Sequence, residues 1–304
     1  MTSVRSRLLI GWFRLSGSKQ VFLDTSQFDE SIVDSQRSRT SKPPAPLYRR
    51  HRVQRTDIRG FPCVTVAPRT APPARHVLYL HGGAYVHSIE RAHWHFVSAL
   101  VDMLAATVTV PVYPLAPNYH YDETQAVIAE AYDRHVSGSD PSRQIIMGDS
   151  AGGALTLVLA RKLRERGWPQ PAHLVLLSPW LDATMQDPAV PALDRRDPYL
   201  STPGLLEAGR MYAGDLDTAD PLISPLNGTF DGLGRISVFT GTRDVLLSDS
   251  RRLRQIASRE GIDIDYVEYQ GMFHGWILMQ RLPEARQATD TLRDLLSGRT
   301  RSEP

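Results

Sequence analysis

Hydrophobic and polar positions follow two alternating rhythms from about residue 48 onward. Short apolar runs predict strands, and longer segments in which apolar residues recur every three or four positions predict amphipathic helices. The predicted strands cover residues 52–58, 61–66, 76–80, 107–113, 144–147, 173–177, 236–240 and 264–269, and the predicted helices cover 90–104, 122–136, 154–166, 248–260 and 286–296. This order predicts an α/β fold in which a mostly parallel sheet carries helices on both faces.

Two segments depart from this rhythm. Residues 1–45 begin with apolar residues at near-helical spacing, with arginines between them, and end in a proline cluster. We interpret them as an N-terminal lid segment that packs on the catalytic domain, residues 46–304; the alternative is an amphipathic helix on a membrane surface. Residues 183–215 are rich in proline and acidic residues and show no clear strand, which predicts a lid insertion. The apolar positions at the start are Val4, Leu8, Trp12 and Leu15.

Composition narrows the range of partners. The chain has 304 residues, 41% of them hydrophobic, and a formal net charge of +2, so bulk charge predicts no nucleic-acid partner. Cys63 is the only cysteine, which excludes an intrachain disulfide and argues against a cysteine-based zinc site. The apolar stretch 8–13 is too short to cross a membrane and no signal-cleavage pattern follows it, so we expect a cytoplasmic protein without stable membrane insertion. The oligomeric state stays open, with a homodimer among the options.

The pentapeptide at residues 148–152, GDSAG, fits the pattern G-x-S-x-G. It follows a predicted strand and opens a predicted helix, which is the strand–turn–helix context of a nucleophile elbow. Such an elbow holds its serine in a strained backbone conformation, so the neighbouring positions need minimal side chains. The sequence therefore predicts Ser150 as a catalytic nucleophile.

A glycine pair follows the predicted strand 76–80, within the stretch HGGA at residues 81–84. Acyl transfer requires backbone N–H groups that stabilise a developing oxyanion, and glycines let the backbone approach the substrate closely. In this strand–turn–helix arrangement the residue after the nucleophile supplies a further N–H group. We predict Gly82, Gly83 and Ala151 as the donors of an oxyanion hole.

Two later strand ends supply candidates for a base and its acid. Asp244 follows strand 236–240 and His274 follows strand 264–269, at the edge where open α/β sheets bind ligands. We predict that His274 takes the Ser150 proton and that Asp244 fixes the His274 tautomer. Asp249 is the rival acid, but its place inside the predicted helix 248–260 favours Asp244.

Taken together, these motifs resemble the GDSAG subgroup of the hormone-sensitive-lipase-like esterases. The resemblance rests on residues 81–84, 148–153, Asp244 with Leu246, and 274–275, with further matches at 113–117 (YPLAP) and 220–226 (DPLISPL). It covers roughly residues 60 to 280 and implies an eight-stranded α/β-hydrolase sheet with a helical lid from the N-terminus and an insertion. Pro114 and Asn118 stand where the family has an arginine and an acid, which predicts the loss of a local ion pair.

The motifs and the resemblance predict a serine hydrolase that cleaves carboxylic esters of short or compact acyl groups through an acyl-enzyme. Similarity to bacterial members adds lactones as candidate substrates. Two alternatives stay open: an amidase or deacetylase on the same residues, and a non-catalytic small-molecule receptor, against which His274 argues. We expect no cofactor and no metal, since His93 and His95 are two positions apart and would face different sides of a helix. Tyr85 and Trp180 are candidates for substrate binding, with core packing as the alternative.

Overall fold

The computed structural model describes residues 2–38, 41–70 and 72–297. Its strands are β1 (Arg52–Ile58), β2 (Phe61–Ala67), β3 (Arg75–Leu80), β4 (Ala106–Pro111), β5 (Gln144–Asp149), β6 (His173–Leu177), β7 (Arg235–Gly241) and β8 (Ile264–Tyr269). They form one eight-stranded sheet in the order β1-β2-β4-β3-β5-β6-β7-β8. Strand β2 is antiparallel to both neighbours, and the remaining pairs are parallel. The predicted α/β-hydrolase fold is confirmed.

Helices cover both faces of the sheet. The α-helices are α1 (Val4–Leu15), α2 (Ser18–Leu23), α3 (Thr25–Arg37), α4 (Ala45–Arg50), α5 (Arg91–Leu104), α6 (Tyr121–His135), α7 (Ala151–Glu165), α8 (Val190–Asp194), α9 (Thr202–Ala213), α10 (Leu247–Glu260) and α11 (Pro283–Leu296). Apolar residues of α5 and α11 pack on one face, and those of α6, α7 and α10 pack on the other.

The central strands contain continuous apolar runs because both of their faces are covered. In β5, Ile145 and Met147 belong to the α5 and α11 layer, whereas Ile146 belongs to the opposite layer. A parallel strand buried on both sides needs such a continuous apolar run, which is the signal that the sequence carries. Helix α7 begins three residues earlier than predicted, directly after Ser150, because small residues there pack against the ends of the strands.

Five helices outside this layered core lie over the carboxyl ends of the strands: α1, α2 and α3 from the N-terminal segment, and α8 and α9 from the insertion. Helix α1 packs on the body of the protein, as expected, but through Ile10 and Phe13. The four apolar residues noted at helical spacing form a stripe on the other face, which we call the outer stripe. Their exposed fractions are Val4 60%, Leu8 69%, Trp12 58% and Leu15 90%. Within the described ranges, every helix is too short or too polar to span a membrane.

Candidate active site

Ser150 lies in the turn between β5 and α7, in a backbone conformation that is strained for a residue with a side chain. Its φ and ψ are 53° and −122°. Neighbouring main chain holds this conformation, because the Ser150 N–H donates to Leu177 O at 2.9 Å and the Ser150 carbonyl accepts the Trp180 N–H at 3.0 Å. Gly152 lets α7 approach β3 so closely that a Cβ atom there would overlap the Leu80 carbonyl oxygen. The elbow therefore presents the Ser150 hydroxyl at the edge of the sheet.

His274 and Asp244 meet at this same edge. The His274 Nδ1 atom lies 3.0 Å from Asp244 Oδ2, and Asp244 Oδ1 accepts the Leu246 N–H at 2.9 Å. Burial lowers the pKa of His274, but the carboxylates of Asp244, Asp197 and Asp149, with Asp244 foremost, together raise it by more, so the net pKa lies above its ordinary value of 6.5. An imidazole that donates from Nδ1 to a buried carboxylate keeps Nε2 free to accept a proton.

Asp249, the rival acid, is engaged elsewhere. Its Oδ2 atom accepts the N–H groups of Leu181 and Asp182 at 2.7 and 3.0 Å. Burial raises the pKa of Asp249 to about 8. The carboxyl group therefore joins the first turn of α10 to the chain after β6 and leaves the His274 ring to Asp244.

A cavity of about 440 Å³ is lined by both Ser150 and His274. Its inner wall, as we call the side formed by the loops at the strand ends, consists of Gly83, Ala84, Asp149, Ser150 and His274. Its outer wall is formed by the covering segments and consists mainly of Phe13, Val21, Phe22, Ser31, Leu200 and Leu205. The cavity is therefore mainly apolar, with a few serines, where it meets the covering segments, and polar where it meets the sheet.

The loop after β3 differs from the prediction in one donor. The Gly82 N–H donates to Asp149 Oδ1 at 3.0 Å, so Gly82 is not available to an oxyanion and its prediction as a donor is wrong. In the part of the chain that the structure describes, the N–H groups of Gly83, Ala84 and Ala151 have no acceptor. Gly83 has a φ of +118°, which strongly favours glycine, and Ala84 follows at +52°.

Asp149 is a buried anchor for this loop. Besides the Gly82 N–H, its Oδ1 accepts the Tyr79 hydroxyl at 2.5 Å, and its Oδ2 lies 3.3 Å from His93 Nε2. Since His93 Nδ1 accepts the Glu90 N–H at 2.9 Å, the His93 proton lies on Nε2 and donates to Asp149. Burial raises the pKa of Asp149, but His93, Tyr79 and His81 together lower it by more, so the carboxyl group stays ionised.

Asp197, within the insertion, was not anticipated as part of the site. Its carboxylate accepts three backbone N–H groups, those of Tyr199 and Leu200 at 2.8 and 2.9 Å and that of Val245 at 2.8 Å. Burial, and after it the Asp244 charge, raise the pKa of Asp197 to about 7. The Asp-Pro sequence signals the turn, but nothing local signals the contact with Val245, which is 48 positions away.

Tyr85 and Trp180 are core residues, which corrects their prediction as substrate-binding residues. They are 2% and 1% exposed and do not belong to the cavity walls given above. The Tyr85 ring stacks on the ring of Tyr212 in α9 at 3.8 Å and lies 5.4 Å from the Trp180 ring. Large aromatic rings gain stability from burial, so both side chains pack in the layer between the sheet and the insertion. The backbone of Trp180 still supports the site, because its backbone N–H donates to the Ser150 carbonyl oxygen.

Comparison with known proteins agrees with this geometry. A family model described as the alpha/beta hydrolase fold matches residues 77–278. LipR of Mycobacterium tuberculosis is 36% identical over 250 residues, which are 81% of this chain and 80% of LipR. An acetyl-hydrolase of Streptomyces hygroscopicus is 34% identical over 236 residues, which are 75% of this chain and 79% of that protein.

Solved structures extend the likeness to nearly the whole chain. A homologue of hormone-sensitive lipase from a metagenome library has a TM-score of 0.83 and 27% identity, covering 98% of this chain and 99% of its own. The resemblance to hormone-sensitive-lipase-like esterases is thereby confirmed. From the matched family model, the relatives and the shared fold, the chain belongs to the α/β-hydrolase-fold family.

Proposed function

We propose that this chain is a serine carboxylesterase in which Ser150, His274 and Asp244 form the catalytic triad. The observation that carries the proposal is the 3.0 Å contact between His274 Nδ1 and Asp244 Oδ2, beside a cavity that both Ser150 and His274 line. The strained Ser150 backbone adds support, since such strain is typical of a nucleophile elbow. The presence of all three residues weighs against a non-catalytic receptor.

The reaction begins when the Ser150 Oγ attacks the ester carbonyl carbon while His274 Nε2 takes the hydroxyl proton. The carbonyl π electrons move to oxygen, and Asp244 stabilises the imidazolium that forms. The intermediate then collapses, the bond to the alcohol oxygen breaks, and Nε2 returns the proton to the leaving alcohol. Water repeats the sequence on the acyl-enzyme, which releases the carboxylic acid and restores Ser150.

The oxyanion of each intermediate is held by the N–H groups of Gly83, Ala84 and Ala151. These groups are free of other acceptors among the described residues and lie on the two segments that flank Ser150. Preorganised donors of this kind stabilise a developing charge without reorganising during the reaction. The Asp149 anchor on Gly82 keeps the loop in this conformation.

The substrate is a short or compact acyl ester. A cavity of about 440 Å³ with Phe13, Phe22 and Leu205 in its outer wall accommodates a small apolar acyl group. Residues 1–45 and 183–215 act as the lid that closes this space. The Streptomyces relative is named an acetyl-hydrolase, which supports acetyl esters as substrates and makes an N-acetyl amide the second candidate.

A substrate panel and a covalent label test the proposal separately. With nitrophenyl esters of rising chain length, a lactone and an N-acetyl anilide, we expect fastest turnover of the acetyl and butyryl esters, unaffected by a chelator. A fluorophosphonate should add its mass to the peptide that contains Ser150 and stop turnover. Labelling elsewhere, or activity that a chelator abolishes and a divalent ion restores, would refute the triad. Faster turnover of long-chain emulsified esters would refute only the size preference.

A further inference from the structure

The outer stripe is an apolar surface for which the catalytic site gives no reason. Its members are 58% to 90% exposed, although α1 buries Ile10 and Phe13 on its opposite face. At about 100° per residue, positions 4, 8, 12 and 15 fall within about 80° of one another. The stripe is therefore continuous, and it points away from the body of the protein.

The charged side chains that α1 itself carries around this stripe have one sign. Residues 2–23 contain no aspartate or glutamate. Of their cations, Lys19 is paired with Asp194 at 2.6 Å, whereas Arg5, Arg7 and Arg14 are exposed on the flanks of the stripe. Glu284 of α11, which lies beside the start of α1, already accepts hydrogen bonds from Ser3 and Ser6. The flanks therefore present positive charge to whatever meets the apolar face.

We infer that α1 docks the protein on an anionic phospholipid surface through the outer stripe. Leucine side chains and the Trp12 ring enter the boundary between headgroups and acyl chains, where tryptophan is favoured. The arginines reach the phosphate and carboxylate groups of the lipids while their aliphatic stems cover apolar surface. Because α1 is a single short helix, the docking is peripheral and reversible.

Docking would also bring the substrate cavity to the lipid surface. Phe13, on the inner face of the same helix, lines the cavity, and its ring lies 5.3 Å from that of Phe273, next to His274. The helix is thus the layer between the bilayer and the catalytic residues. Apolar esters concentrate in the bilayer, so a surface-bound enzyme would meet them there.

The test is cosedimentation of the full chain, without substrate, with vesicles of phosphatidylcholine alone or mixed with phosphatidylserine. We expect clear binding to the mixed vesicles, weakened by added salt. Leu8→Gln with Leu15→Gln should lower the partition coefficient at least about tenfold. Arg7→Gln with Arg14→Gln should lower it about fivefold for each arginine, on the anionic vesicles only.

A second exposed tryptophan provides the matched control. Trp168 is 37% exposed and has the Arg166 guanidinium 5.7 Å from its ring, but it lies beyond the end of α7, at the edge of the sheet opposite Ser150. Trp12→Gln should weaken binding, whereas Trp168→Gln should not, and both variants should hydrolyse a dissolved ester like the parent.

Three results would overturn the inference. The parent could fail to sediment with either vesicle, or Trp12→Gln and Trp168→Gln could behave alike. The leucine variants could instead convert a dimer to a monomer in sedimentation-velocity runs without changing vesicle binding, which would assign the stripe to a second copy of this chain. Each readout is independent of catalysis, so the proposed esterase activity stands or falls separately.

Discussion

The inner and outer walls of the cavity are built on different principles. In the inner wall, Ser150 and Asp149 are held by several directed hydrogen bonds each, and all of their partners are buried main chain or buried side chains. The apolar side chains of the outer wall are held by ring contacts, such as those of Phe22 with Phe28 at 5.3 Å and with Tyr199 at 5.9 Å. Directed hydrogen bonds fix atomic positions to fractions of an ångström. Packing between rings fixes the shape of a surface but tolerates the exchange of one apolar side chain for another. Chemistry should therefore depend on the inner wall and substrate preference on the outer wall.

The largest effect should come from Ser150→Ala in the inner wall. Removing the nucleophile leaves the oxyanion donors in place but no route to an acyl-enzyme, so turnover should fall by about 10⁴ to 10⁶. Circular dichroism and the urea midpoint should match those of the parent, since alanine keeps the backbone hydrogen bonds that hold the elbow. Turnover near the parental rate would show that another group is the nucleophile.

Two buried aspartates near β7 should respond differently to substitution, one through activity and the other through stability. Asp244→Asn should lower kcat by about 10³ to 10⁴, because the amide favours the wrong His274 tautomer. Asp249→Asn keeps an oxygen to accept the Leu181 and Asp182 N–H groups, so it should cost at most about 1 kcal/mol of unfolding free energy and leave kcat unchanged. Both variants are measured at saturating substrate. The reverse ranking would assign the acid to Asp249.

Asp149→Asn should destabilise the loop beneath the oxyanion donors. The oxygen of the new amide can keep the hydrogen bonds from the Gly82 N–H and the Tyr79 hydroxyl. The amide NH₂ group then faces the His93 Nε2–H, so two donors meet without an acceptor. An unmet buried donor costs about 1 to 3 kcal/mol, which should appear in urea unfolding together with a lower kcat. A variant as stable and as active as the parent would mean that the loop holds its shape without this anchor.

Val21→Ala probes the outer wall, where Val21 is half-buried and lines the cavity. The loss of two methyl groups should raise KM for butyryl esters by at most about tenfold and leave kcat unchanged. Acetyl esters, which do not reach as far, should be affected less. A drop in kcat at constant KM would break the distinction between the two walls.

The smallest effect is a displacement of the pH profile. In the proposed mechanism His274 acts as a base only when it is neutral, and its pKa lies above 6.5 because Asp244, together with Asp197 and Asp149, outweighs burial. As pH falls through this raised pKa, kcat/KM should fall with it. Asp244→Asn removes the negative charge, so the residual activity should persist to lower pH. If the fall of kcat/KM at low pH occurs at the same pH in both proteins, the titrating group is not His274.

The strands and the elbow could be predicted because their signals are local. A buried parallel strand is apolar throughout, and residues 148–152 combine the glycines and the serine that the turn requires. The order of strand ends then placed Asp244 and His274 at one edge. The engagement of Gly82 could not be predicted, because its partner Asp149 lies 67 positions away and competes with the oxyanion for the same N–H group.

The orientation of α1 shows a second limit of prediction from the sequence. Periodicity indicated a helix, but either face could have turned inward. Both candidate faces carry apolar residues, and packing selected Ile10 and Phe13, whose neighbour Phe273 becomes adjacent only after folding. The role of Asp197 could not be predicted for the same reason, since its partner Val245 lies in the loop after β7, far away along the chain.

The stack between Tyr85 and Tyr212 has a consequence for protein engineering. It joins the loop that carries the proposed oxyanion donors to α9 of the insertion, with the two rings nearly parallel at 3.8 Å. Transplanting an insertion from another hydrolase would therefore need an aromatic residue at the position of Tyr212, or one face of the Tyr85 ring would lose its partner. Substrate range should be easier to alter by exchanging single residues of α2 than by grafting whole segments.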